Sequence, residues 1–176
     1  GSGRPMPREM LRNAWRATMG TYGYDLVQLN HYAVRSAESF LVKRARGRVH
    51  HTDRDQGQAY WFRMNNIAAP ETSIARLSPM GRAEWTRLMD DPEIAAAHRA
   101  GVAAHREKIE TLMDAPENRA FYEALTSPRM EKLSRMHHAF GANVFLAGPE
   151  VIPDTLLKQD LPEGAYFTVE RQSAKH

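Results

Sequence analysis

The stretch Asp91-Pro92-Glu93-Ile94-Ala95-Ala96-Ala97-His98-Arg99-Ala100-Gly101-Val102-Ala103-Ala104-His105-Arg106-Glu107-Lys108-Ile109-Glu110-Thr111-Leu112-Met113-Asp114-Ala115-Pro116 decides the fold class. An aspartate followed by proline is a helix start: the carboxylate takes the free N–H groups of the first turn, and proline fits the first helical position. Ile94, His98, Gly101, Val102, His105, Ile109 and Leu112 then recur along one stripe at helical spacing. The spacing predicts a helix over 92–113. The same punctuation recurs at Ser78-Pro79 and Ser127-Pro128, and in a weaker form at Ala115-Pro116 behind Asp114. It predicts helices over 79–89, 116–125 and 128–139, and such short links favour antiparallel neighbours.

Towards the N-terminus, Met10, Leu11, Ala14, Trp15 and Met19 fall at helical spacing against a row of Arg8, Arg12 and Arg16, which predicts an amphipathic helix over 8–19 with a solvated basic face. Gly20 and Gly23 break it. Leu26 to Tyr32 alternates as a strand would. Ser36 is a good N-cap for a helix over 37–46, with Gly47 as the residue able to turn left-handed at its end. Thr52 with Asp55 opens a further helix to about Met64. Beyond Gly141 the chain is rich in Pro and Gly, with brief apolar pieces at Val144 to Leu146 and Tyr166 to Val169, and is expected to wrap over the helices. The expected fold class is therefore mainly α: a small helical assembly with one or two short strands near the N-terminal third and an irregular C-terminal tail.

At 176 residues, one domain with a real core, or one small domain with a docked extension, is expected. With no cysteine there is neither a disulfide framework nor a thiolate nucleophile, which fits a cytoplasmic location, at the inner face of the membrane if at any. No apolar run approaches the ~20 residues that span a bilayer. Gly1-Ser2-Gly3 reads as a tag remnant and residues 1–7 as a lead, with the natural chain expected to extend upstream. The net charge of +3 hides an asymmetry: residues 1–64 hold eleven Lys and Arg against five Asp and Glu, and the remainder thirteen against sixteen. A basic first half suits phosphate-bearing or anionic partners. The excess is modest and the later helices are acidic, which argues against a nucleic-acid binder.

His31 ends the alternating segment; a neutral imidazole there can ligate a divalent ion or cap the strand through hydrogen bonds. Lys43, Arg44, Arg46 and Arg48 gather at a helix C-terminus, where the dipole alone favours cations; of these, Lys43 and Arg46 can alternatively meet a diphosphate, while Arg44 and Arg48 are left out of the site. Asp53-Arg54-Asp55 is a literal D-x-D, but it sits where a helix begins rather than after a buried strand, so the dipole explains it. His98 and His105 lie two turns, roughly 10 Å, apart, too far for one ion, and are expected as half-buried core or interface residues. Trp85 and Tyr60-Trp61-Phe62 are expected in the core.

Asn30-His31-Tyr32 followed by Ser36, Phe40, Lys43, Arg46 and Gly47 resembles the "N-H-Y" and "S-x-x-x-F-x-x-K-x-x-R-G" segments near the end of the catalytic domain in family 2-like glycosyltransferases, the group related to family 92. The resemblance covers residues 4–65 closely and the helical remainder loosely. It implies that His31 helps hold a divalent metal, Mn or Mg, and that Lys43 and Arg46 reach the diphosphate of a nucleotide-sugar donor. It also implies that 8–65 ends a catalytic domain, with 66–176 a helical extension. The metal-binding acids of that family lie upstream of its N-H-Y segment, so Asp53 and Asp55 are in the wrong order to serve. The resemblance thus points to the C-terminal portion of a transferase of surface polysaccharide synthesis, without activity by itself. The alternative is a non-enzymatic helical module that docks a protein partner or an anionic surface through its basic N-terminal half. An exposed strand edge would also invite homo-oligomers.

Overall fold

Ser36 opens the first helix as its sequence requires: its backbone is extended and its Oγ accepts from the N–H of Ser39 at 3.2 Å. Helix α1 runs Ala37–Arg46 and ends on Gly47, whose φ of 73° is a conformation that favours glycine. In the computed structural model, residues 2–8, 12, 18–29, 31–47, 56–70, 72–159, 162 and 164–170 are described. The remaining helices are α2 (Gln58–Met64), α3 (Ser78–Met89), α4 (Pro92–Asp114), α5 (Pro116–Thr126), α6 (Pro128–Arg135), α7 (Ala142–Ala147) and α8 (Asp154–Leu157). The molecule is mainly helical, as its capping punctuation predicts.

Asp91 caps α4 by accepting from Glu93 and Ile94, and Ser127 caps α6 by accepting from Met130. Ser78 departs from the expectation. A 3₁₀ turn over Ser73–Leu77 runs straight into α3, so Ser78 is already helical and its hydroxyl caps nothing. The turn between α4 and α5 lacks a capping side chain at Ala115. There the Asn118 amide and the Arg119 guanidinium donate back to the carbonyls of Leu112 and Met113, satisfying the free end of α4. The helix expected to 139 stops at Arg135 and gives way to a 3₁₀ turn, His137–Ala139.

The strand expected over 26–32 is a correction: residues 26–29, 31 and 32 are irregular, and Leu26, Val27, Leu29 and Tyr32 are exposed. Alternation makes a strand only where a second backbone offers its hydrogen bonds, and among the described residues the one bridge pairs Phe140 with Phe167 elsewhere. The helix expected over 8–19 and the start of the one expected from Thr52 fall mainly outside the described residues, as do Arg48 and the Asp53-Arg54-Asp55 triplet.

The chain divides into two compact units, 1–32 and 33–176. In the first, Ser2 donates to the Thr21 carbonyl, Arg4 to that of Gly20, and the rings of Tyr22 and Tyr24 meet edge to face. In the second, α1 and α2 pack with the later helices. Phe40, Trp61, Phe62, Leu125, Met130, Leu133, Phe140, Val144, Ile152 and Leu157 form one core. Phe62 lies at its centre against Phe140, Phe145 and His137. The C-terminal segment wraps as expected: Phe167 donates to Ala139, Gly141 to Phe167, and Asn143 to Val169. Arg129 fastens it from α6, donating to the carbonyls of Pro149 and Ile152 and to Asp154.

Candidate functional site

Four of the residues from Ser36 to Gly47 that carry the family resemblance are used by the fold. Ser36 caps α1, Phe40 lies 1% exposed in the core, and Gly47 closes the helix with its N–H on the Arg44 carbonyl. Lys43 turns inwards: its ammonium donates to the Ala33 carbonyl and, at 3.0 Å, to the Tyr60 hydroxyl, and lies 4.8 Å from the centre of that ring. Both acceptors are neutral. Neither therefore offsets the ammonium with an opposite charge, and one of its donors is unassigned among the described residues, in a partly buried place between α1 and α2. Tyr60, expected only as a core aromatic, is what joins Lys43 to α2, and no spacing in the sequence marks that partnership.

Arg44 lays its guanidinium over the Phe121 ring at 4.3 Å, a cation–π contact that anchors α1 to α5. Arg46 is exposed in the last turn of α1, where the dipole favours it, and has no partner among the described residues. His31 belongs to the first unit, is exposed, and likewise has no partner among the described residues. No three His, Asp or Glu side chains converge among the described residues. A single imidazole is one ligand of a set, so the described residues do not by themselves fit a Mn or Mg ion.

Several titrating groups are shifted by their surroundings, among them Glu38, Tyr122 and His137. The Glu38 carboxylate accepts from the Tyr122 hydroxyl at 2.8 Å, which holds its pKa below the ordinary value and raises that of the tyrosine. His137 is pushed down by burial among Phe62 and Phe145, partly offset by its 2.6 Å hydrogen bond with the Phe62 carbonyl, to which Nε2 donates in the neutral ring.

The histidines of α4 are a second correction. His98 and His105 are exposed rather than half-buried; His98 meets the edge of Trp85, and His105 Nε2 lies 3.1 Å from Ser39 Oγ. Trp85, expected in the core, is 50% exposed. Trp61 and Phe62 are buried as expected. Along α4 only Ala95 is buried, because its neighbours α1, α3 and α5 leave most of its circumference to solvent.

No known family, curated protein or solved structure matches the chain. No helix among the described residues is long and apolar enough to cross a membrane.

Proposed function

We propose that this chain is the C-terminal portion of a family 2-like glycosyltransferase of surface polysaccharide synthesis, contributing the edge of a nucleotide-sugar site and a helical extension. The observation that carries the proposal is a division of labour within the motif. Ser36, Phe40, Lys43 and Gly47 have tasks in building and seating α1, whereas His31 and Arg46 are exposed and partnerless among the described residues. Folding leaves those two side chains available for a ligand. Arg46 then supplies a planar fork to the donor diphosphate, Lys43 holds α1 in place beside it with one donor to spare, and His31 is one ligand of a divalent metal whose acidic ligands lie upstream.

The test is sugar transfer. These 176 residues are expected to release no sugar from a nucleotide-sugar donor, and a measurable rate would overturn the idea that they are only a portion of the enzyme. A longer chain that includes upstream strands and a D-x-D after an apolar strand is expected to be active, and to lose at least tenfold in rate on His31→Ala or Arg46→Ala. Rates untouched by both substitutions remove these residues from the site.

A second function, a helical interaction module without chemistry, is favoured by one observation: α3 buries none of its residues and leaves Met80 and Trp85 exposed, with Leu77 exposed just before it. The natural reading frame upstream of Arg4 separates the two. Alternating strands and helices there favour the transferase, and a start codon within a few residues favours the module.

A further inference from the structure

A depression of about 380 Å³ lies where α4 passes the start of α1, lined by Arg35, Ala97, His98, Gly101, Val102, His105 and Arg106. Its floor is low because the residues beneath are small: a Cβ built on Gly101 meets nothing within 4 Å. Every charged or titratable side chain around it is basic. Neither Arg35 nor Arg106 has a partner among the described residues. The nearest acid of α1, Glu38, is engaged by Tyr122 of α5. A second hollow of about 290 Å³, lined by His98, Arg99, Val102, Ala103 and Arg106, continues round α4.

The position of Arg35 is the unusual part. It directly precedes the N-cap of α1, at the positive end of the helix dipole, where a cation is disfavoured unless an anion stands between. The cluster at Lys43 to Arg46 needs no such explanation, since it sits at the negative end. Ser39, in the first turn of α1, is held by His105, so the same hydrogen bond that joins the two helices brings hydroxyl, imidazole and helix start to one wall.

We propose that this depression is an anion site for a phosphate-bearing ligand, gripped by Arg35 from the α1 side and by Arg106 from α4, with His98 and His105 as additional donors. Two guanidinium forks match phosphoryl oxygens, and the two histidines are spread over roughly 10 Å of helix, enough for more than one phosphoryl group. The site is at the opposite end of α1 from Arg46, and the proposal does not depend on the transferase function.

The probe is pyrophosphate, titrated calorimetrically into the full chain at low salt. One saturable site is expected, weakened at least fivefold by Arg35→Ala and by Arg106→Ala. Arg82→Ala on α3 serves as a control for diffuse charge and is expected to leave binding unchanged. Gly101→Leu fills the floor without altering any charge and is expected to abolish binding, with a melting transition at or above that of the native chain showing that the helices remain folded. Absence of saturable binding, equal weakening by Arg82→Ala, or full binding by Gly101→Leu would each overturn the proposal. Vesicles of phosphatidylglycerol form a second arm. Retention that pyrophosphate displaces identifies a lipid headgroup as the source of the phosphate, and no retention identifies a soluble ester.

Discussion

Helices α2 and α3 invert the usual relation between length and anchorage. The shorter, Gln58–Met64, buries Trp61 and Phe62 and touches α5, α6 and α7; the longer, Ser78–Met89, buries nothing and rests on α4 and the 3₁₀ turn before it. What distinguishes them is not propensity but how many neighbours each meets. A seven-residue helix is far too short to persist alone, so α2 exists because the aromatic core holds it. Nothing comparable holds α3. No side chain caps its start, and the Arg87–Glu84 pair on its surface is exposed and contributes little, so its own backbone hydrogen bonds must do most of the work.

The most direct way to break the contrast is to remove the anchor. Phe62→Ala is expected to cost ~3–5 kcal/mol in denaturant unfolding, while Trp85→Ala costs about 1 kcal/mol, since half of that ring is already in water. Equal losses would mean that α3 is packed as firmly as α2. Next comes the tail that covers the core on the side of α2. Arg129→Ala is expected to cost about 2 kcal/mol, mostly through the freed carbonyls of Pro149 and Ile152, because the Asp154 partner is largely exposed. Arg129→Lys should recover only part of it, as an ammonium cannot reproduce the fork.

A pH titration sharpens the comparison without touching α3. Burial sets the folded-state value of His137 below its ordinary 6.5, so the unfolded chain takes up a proton first as pH falls. Stability from this group is complete above about pH 6.5 and is lost as pH drops through the lower folded-state value. Equilibrium unfolding between pH 7.5 and 5 should show that slope, and His137→Gln should flatten it. The Glu38 contribution has the same sign but a different window: it is present above the ordinary value of 4.5 and lost below it. The smallest effect belongs to α3. Gly81→Ala adds a methyl into open space within the helix and is expected to stabilise by ~0.5–1 kcal/mol; a loss of stability would show that α3 is not the regular, solvated helix described.

Helix starts were the most legible feature, since Ser36, Asp91 and Ser127 act through the next few residues and need no distant partner. Ser78 carries the same signature without the same role, because the turn before it is already helical. Exposure was less legible. The stripe through His98, Val102 and His105 states which side of α4 is available for packing, not whether anything covers it. The alternation from Leu26 to Tyr32 likewise states a capacity that no second backbone fulfils among the described residues. The basic depression was invisible for a simpler reason: Arg35 and Arg106 are far apart in the chain, and only the crossing of α1 and α4 makes them neighbours. One clue was local, an arginine beside an N-cap.

The reach of Lys43 to the Ala33 carbonyl has a practical consequence for cutting this molecule. Helix α1 begins at Ala37, but its anchorage begins earlier, because the ammonium uses the backbone of Ala33 as one of its two acceptors. A shortened chain beginning at Ala33 retains that latch. One beginning at the helix itself would leave a partly buried cation held by the Tyr60 hydroxyl alone, so the natural place for a fusion joint or protease site is before Ala33 rather than at the helix boundary.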